Sequence, residues 1–539
     1  MGIKTGRALA ALALTASVAV TGCAETKTQS GGSGSTAALT TGTTDKVTSL
    51  DPAGSYDNGS FFVMNQVYGF LLDTAPGATD MTPKPDLAES ASFTSPTTYT
   101  VKLKKGLKFV NGHDLTSSDV KFSFDRQLKI NDPNGPASLL GNLVKVDAPD
   151  PTTVVFTLKQ ANDQVFPMIL SGPAGPVVDE EVFPADKVLA DADIAKAHPF
   201  SGQYDITTYT LNQLIAYKAW DGYQGAMGKA KTSVIQTKYY ADANNMKLDI
   251  EQGTIDVANR SLGATDIDSL KKNDKVAVTE GPGGEIRYIS FNLNTMPFGA
   301  KAPQADAKKA QAVRQAAASL IDREALSTNV YKGTYTPLYG YVPSGMAAAG
   351  QQFKTMYGDG NGKPSVEKAK KALADAGVTA PVSLNLQYNP DHYGQSSGDE
   401  YAAVKTQLEN GGLFKVTLQS TEWVQYSKDR SSDVYPAYQM GWFPDYSDPD
   451  NYVTPFFVKN NMLNNHYDNA EVQKLLAEQV GITDKAAREA AILKIQDLVS
   501  ADVSTLPLLQ GKQFAISGKS VKGVTLDASF KFRLGTLTK

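Results

Sequence analysis

The sequence predicts an α/β fold divided among two or three lobes, and three observations point there. Its 539 residues exceed one typical domain and suffice for a large buried core. Between 382 and 430, strand-like and helix-like segments alternate (382–388, 401–409, 416–420, 424–430), the pattern of an α/β lobe on an open sheet. Ahead of them, residues 61–158 combine separate strand signals with one capped helix, which reads as a small α+β lobe.

Lys plus Arg number 52 against 56 Asp plus Glu, with no basic block, so neither nucleic acid nor anionic lipid is an expected partner. Lys4 and Arg7 precede an apolar run at 8–20 that is too short to span a bilayer, and Val20-Thr21-Gly22 sets small residues before Cys23, the only cysteine. This stretch resembles a bacterial lipoprotein signal. It implies cleavage of residues 1–22, diacylglycerol on the Cys23 sulfur, and a mature chain held at the outer face of the cytoplasmic membrane. An ordinary secretory signal with an incidental cysteine is the alternative, and export is expected in both cases. Residues 23–44 are rich in Gly, Ser and Thr and are expected to form a flexible tether. No later run is apolar for long enough to be a transmembrane helix.

The body opens at 47–52, followed by a polar stretch at 54–60 and helical apolar spacing at 61–72. A strand signal at 99–103 and a turn at Gly106 precede Thr116 or Ser117, either of which can cap a helix with Asp119 in its first turn. Strands are expected at 153–158, 209–219, 233–240 and 285–293. Helices are expected at 243–252, stopped by Gly253, at Ala-rich 306–320, and at 366–376, stopped by Gly377. Two helices, 471–480 and 485–499, precede a last strand pair at 506–509 and 513–516.

The candidate site is the stretch 440–452, MGWFPDYSDPDNY. A strand at 435–442 must stop at Pro444, Ser447, Asp448 and Pro449, which leaves Asp445 just past a strand end beside Trp442, Phe443 and Tyr446. A carboxylate walled by rings is poorly screened and would hold a cation, such as a peptide's α-ammonium, more firmly than an open surface would. The competing reading is that Asp445 caps the following turn and the rings fill core.

SLDP at 49–52, DLAES at 86–90, YTVKLKKGLKFVNGHDLTSSDVKFSFDR at 99–126, YISFNLNTMPF at 288–298, VRQAAASLIDREAL at 313–326, TEWVQYSKDR at 421–430 and the 440–452 stretch occur in that order. So arranged, the chain resembles the peptide/nickel group (family 5) of solute-binding proteins that serve ABC importers, in particular the oligopeptide- and dipeptide-binding lipoproteins. The resemblance implies a two-lobed periplasmic-binding-protein type II fold (cluster C) with an extra α+β subdomain in lobe 1. Lobe 1 would comprise 45–58, 199–284 and 506–539, the subdomain 59–198, and lobe 2 285–505, with chain crossings near 284–292 and 504–509. It implies a monomer that closes on a ligand without transforming it, with an ABC permease as partner and no cofactor. In peptide-binding members the matching aspartate receives the peptide's ammonium, which transfers to Asp445. Tyr56, Trp423 and Trp442 would wall the pocket, with Phe443 and Tyr446 beside them, and backbone near 54–57 and 438–442 would pair with the peptide. Trp423 reads equally well as plain core. Dipeptide-specific members have an arginine just ahead of a YNP-like stretch. Here Leu386 and Gln387 precede Tyr388-Asn389-Pro390, so longer peptides fit better.

Other classes have weaker support. Gly394-Gln395-Ser396-Ser397-Gly398, next to His392, satisfies the G-x-S-x-G hydrolase pattern, but Asn389, Pro390 and a polar loop stand where a nucleophile elbow needs a strand. Paired acids for glycosidase chemistry leave no readable mark in sequence. His113, His198, His392 and His466 lack ligand spacing, so no His-bound transition metal is expected. Asp445, Asp448 and Asp450 lack the glycine and distal glutamate of a calcium loop. The alternative ligands for the same fold are an oligosaccharide stacked on Trp and Tyr, and nickel or haem, which some relatives bind.

Overall fold

The computed structural model describes residues 38–539, apart from 79, 80 and 261. The signal segment, Cys23 and most of the expected tether therefore lie outside the described residues. Among the described residues no helix is long and apolar enough to cross a membrane.

A seven-stranded sheet forms the first lobe, in the order Val276–Gly281, Gln513–Gly518, Val257–Asn259, Leu39–Thr43, Val234–Tyr239, Leu214–Ala219, Tyr204–Thr210. Leu39–Thr43 corrects the tether boundary, because it is an inner strand lying parallel to both neighbours. Its Thr- and Gly-rich composition suits that position. The Thr41 and Thr237 hydroxyls pair at 2.9 Å, and Leu39 is wholly buried. A Cβ at position 42 would lie 2.7 Å from Ile255 Cδ1, so Gly42 is what allows Ile255 to pack on the backbone.

The second lobe is built on six strands in the order Tyr335–Pro337, Thr505–Gly511, Ile286–Phe291, Ala437–Trp442, Val382–Tyr388, Phe414–Ser420. Ile286–Phe291 is buried along its whole length between two antiparallel partners, whereas Val382–Tyr388 lies parallel to both of its own. The helix Ala307–Leu320, capped by Asp306, buries Val313, Ala316 and Ala317 in the core that Lys485–Asp502 enters through Ile492, Ile495 and Val499. This is the alternating lobe expected from 382–430, with 424–430 resolved as the helix Trp423–Ser431.

A four-stranded antiparallel sheet, Ala88–Ser95, Thr98–Leu103, Thr153–Leu158 and Leu143–Asp150, carries the helix Ser117–Ile130. That helix starts at a capping box. The Asp119 carboxylate accepts the Thr116 N–H at 2.8 Å, and the Thr116 hydroxyl accepts the Ser118 N–H. The core of this subdomain runs from Leu71 to Val177, narrower than the expected 59–198. Helix Asn58–Val67 stops short of the expected residue 72, and its Val63, Met64 and Val67 join the first lobe's core, as do Val178, Phe183, Ile194 and Phe200. Periodicity locates a buried face but does not say which core receives it.

The two lobes are joined where Val276–Gly281 passes into Ile286–Phe291 and where Thr505–Gly511 passes into Gln513–Gly518. The first crossing thus falls at 282–285 and the second at 512, slightly off the expected 284–292 and 504–509. Thr505–Gly511 is buried throughout and pairs in the second lobe, which therefore extends beyond the expected 505. The crossings touch. The Gly511 N–H donates to Glu285 O at 2.8 Å, the Gln510 amide donates to Gly283 O at 3.0 Å, and a Cβ at Gly283 would overlap Gly511 O.

Candidate functional site

Between the lobes lies a cavity of about 700 Å³, within the range of small-ligand sites. Asp45, Phe61, Phe62, Arg260 and Phe532 line it from the first lobe, and Arg287, Tyr335, His392, Tyr393 and Phe443 from the second. Rings stand on both walls, set among polar side chains and charged ones of both signs.

Asp445 lies one residue beyond Pro444, the last cavity-lining residue of its loop, where the lobes meet. Tyr56, from the first lobe, donates its hydroxyl to Asp445 Oδ1, and the Asn451 amide donates to Oδ2 at 3.0 Å. Asn451 also shapes the loop, because its Oδ1 accepts the Asp445 N–H and the Trp442 indole N–H, each at 2.9 Å. The carboxylate has no Lys, Arg or His partner among the described residues. Burial pushes its pKa above the ordinary carboxylate value, against the pull of the Tyr56 and Asn451 bonds.

The other expected residues are divided between the cavity and its surroundings. Phe443 forms wall, with the Arg260 guanidinium 5.5 Å from its ring centre and Asp45 holding Arg260 Nε at 3.1 Å. Tyr446 packs on the subdomain core and donates to Asp450 at 3.2 Å, so it helps to join the lobes. Trp442 is tied to Asn451 and packs edge-on against Phe456 at 5.3 Å, and it supports the loop from outside the cavity wall. Trp423 stands one ring behind the wall, stacked 3.8 Å from His392 and nearly parallel to it. As pocket walls, Tyr56, Trp442 and Trp423 are therefore corrected to positions beside or behind the cavity.

The loop is held from behind. Arg488, on the helix Lys485–Asp502, grips Asp448 with both guanidinium ends at 2.7 and 2.8 Å, largely out of solvent. Asp450 accepts from Tyr446, Thr454 and Gln479, and burial followed by repulsion from Asp448 pushes its pKa up to about 6. These acids are committed to protein partners, in keeping with turn chemistry. Arg488→Ala would strand Asp448, so we expect a loss of about 3 kcal/mol, read as a lower midpoint in chemical denaturation.

Sequence reasoning passed over Arg287, Arg260, Phe61 and Phe62. Arg287 carried a signal, since it is an arginine inside a stretch otherwise patterned as a buried strand. The structure buries it facing the cavity. Burial pulls its pKa down, but Tyr335, Tyr331, Glu285 and Glu400 outweigh that and hold it protonated. Ser396, the would-be nucleophile, follows a loop that begins after Tyr388 and heads the helix Ser397–Glu409, so it is on no strand-to-helix elbow. His113, His198 and His466 each pair with a separate carboxylate, Asp179, Asp205 and Asp433. Among the described residues no cluster of His, Cys, Asp and Glu has metal-site geometry.

The family model for bacterial extracellular solute-binding proteins, family 5, matches residues 82–464. A probable D,D-dipeptide-binding periplasmic protein of Escherichia coli is 26% identical over 507 residues, covering 91% of this chain and 92% of its own. A heme-binding protein A of Haemophilus influenzae is 27% identical over 486 residues, covering 85% and 84%. Among solved structures, the oligopeptide-binding protein AppA of Bacillus subtilis, in complex with a nonapeptide, superposes with a TM-score of 0.71 at 22% identity, covering 93% of this chain and 98% of its own. That likeness confirms the two-lobed fold.

Proposed function

This chain belongs to the bacterial extracellular solute-binding proteins of family 5, and from that membership we propose that it captures peptides, longer than dipeptides, and delivers them to an ABC importer. It is an extracytoplasmic binding protein and not an enzyme. The observation that carries the peptide reading is the Asp445 carboxylate, which sits at the meeting of the lobes with, among the described residues, a hydroxyl and an amide as its partners. A charge so placed gains from any cation that replaces water beside it, and a peptide ammonium is the right size and sign. The Tyr56 hydroxyl already reaches it from the opposite lobe, so a ligand arriving there touches both lobes at once and favours closure. Leu386 and Gln387 support the longer length: Leu386 is buried, and the Gln387 amide is engaged by Thr421 at 2.7 Å, so neither offers a cation to a dipeptide's carboxylate.

The same reading extends to attachment. The small residues ahead of Cys23 support a lipid anchor there and a monomer tethered beside its permease, and the intact mass of the membrane-extracted chain tests it. Ligand class is tested by thermal shift against peptides, cello-type oligosaccharides and Ni2+ in parallel, since only a bound ligand raises the melting temperature by mass action. Peptides with a free N-terminus are expected to raise it and N-acetylated ones to do so weakly. A shift with the sugars or nickel alone would overturn the reading.

A further inference from the structure

Of the rings along the cavity, Phe530 is, among the described residues, the one with a strained backbone. Its φ is +58°, in the left-handed region that crowds a bulky side chain, so the turn persists only because its surroundings hold it. Asp527 Oδ1 accepts the Ser529 N–H at 2.9 Å, Oδ2 accepts the Gly77 N–H at 2.7 Å, and the Phe530 N–H closes the turn on Asp527 O at 3.2 Å. On the far side Lys531 is buried, its ammonium donating to Asp73 at 2.7 Å and to Ser171 O at 2.6 Å.

The strained turn delivers the ring to the hinge. A Cβ added at Gly284, in the first crossing, would lie 2.0 Å from Phe530 Cζ, so the tip of the ring rests on a bare Cα where only glycine leaves room. The same segment reaches the end of the second crossing, because the Gln513 amide donates to Asp527 O and to Pro282 O, each at 2.7 Å. It also meets the loop that carries Asp445. The Ser447 hydroxyl donates to Ala528 O, and the Tyr452 hydroxyl donates to Gly284 O at 2.9 Å. Residues 527–530 and the glycine beneath them thus join both crossings, the Asp445 loop and the cavity wall.

We propose that Phe530 is the positioning residue that couples an occupied cavity to the bend of the hinge. While the ring stays on Gly284 the first crossing keeps its bend, and release of the turn to an ordinary φ would carry the ring away and free the crossing. A ligand packed against the ring opposes that release, and so favours the closed arrangement through contacts made only there. This deepens the capture reading and rests on it for closure, though not for the ligand's class.

Hydrogen exchange read by mass spectrometry on the full mature chain tests this, without ligand and with trialanine. Two variants separate the hinge contact from general packing. Phe530→Gly removes the ring and relieves the turn together, so the fold is expected to survive it. Phe530→Tyr keeps a ring at the cavity but adds an oxygen at Cζ, the atom that rests on Gly284. Without ligand, both are expected to exchange the amides of 283–285 and 511–513 about tenfold faster than wild type, while the strand Tyr204–Thr210 keeps its rate. With trialanine, wild type is expected to slow at the crossings and in 443–452, and the variants in 443–452 alone. Wild-type rates at the crossings of both ligand-free variants would overturn the hinge contact. Faster exchange throughout the chain would also overturn it, by leaving Phe530 a packing role only. Equal slowing at the crossings in wild type and variants would overturn the coupling and leave capture standing. If trialanine slowed nothing in wild type, the peptide reading would fall, and the ligand-free rates alone would decide for or against Phe530.

Discussion

Asp445→Asn is expected to weaken binding of a peptide with a free N-terminus by about 3 kcal/mol, roughly 100-fold in Kd, because a half-buried ammonium would lose its counter-charge. The fold is expected to survive, since the asparagine Oδ1 can still accept the Asn451 amide while its Nδ2 donates to the Tyr56 hydroxyl oxygen, which only has to turn its proton away. N-acetylation of the peptide removes the same charge pair from the other side. The two changes together should therefore cost little more than either alone, a coupling that calorimetry on the four combinations reads directly. The raised pKa of Asp445 adds a pH signature. Acidification protonates this carboxyl before an ordinary one and weakens wild-type binding, while the Asn variant changes little. The ligand-free protein responds the other way. A folded-state pKa above the unfolded one contributes stability that is full below the unfolded value and is lost as pH rises through the folded one, so acid favours the fold at this group while disfavouring the ligand.

The largest effect on stability is expected at Asp51. Its two oxygens receive Arg126 Nη1 and Nη2 at 2.7 and 2.6 Å, with both side chains essentially sealed from solvent. Asp51 also accepts the N–H groups of Ala53 and Leu189, and Arg126 donates to the carbonyls of Pro184 and Lys187 over the Phe183 ring. This pair fastens the subdomain helix Ser117–Ile130 to the first lobe. Asp51→Ala leaves a buried guanidinium without its partner, for which a loss of about 3–5 kcal/mol is expected, measured by chemical denaturation. Asp51→Leu with Arg126→Met removes both charges and is expected to lose much less, since a buried pair is expensive to break and only mildly favourable to have. If the single and double variants were equally unstable, the loss would belong to packing.

Asp51 lies in SLDP and Arg126 ends SFDR, two of the segments that gave the chain its resemblance, yet nothing in the sequence says that they touch across 75 residues. What was legible is local. The Thr116 and Asp119 capping box, Asp306 ahead of an Ala-rich run and the strand alternation around 382–388 and 437–442 each express a preference held within a few residues. What was not legible is assignment between partners. Leu39–Thr43 looked like linker until its hydroxyls found Thr237, and Thr505–Gly511 is apolar enough to serve either sheet. At the site the same limit applied. The sequence set Asp445 among rings, but whether a ring faces the cavity, as Phe443 does, or backs another ring, as Trp423 backs His392, depends on chains that approach from elsewhere.

Mass spectrometry of whatever the protein carries through purification addresses the central claim without choosing a ligand beforehand. Protein purified under native conditions and then denatured should release peptides with unblocked N-termini, and the Asp445→Asn protein should release far fewer. Release of haem, a metal chelate or oligosaccharides in place of peptides, in equal amounts from both proteins, would contradict the account.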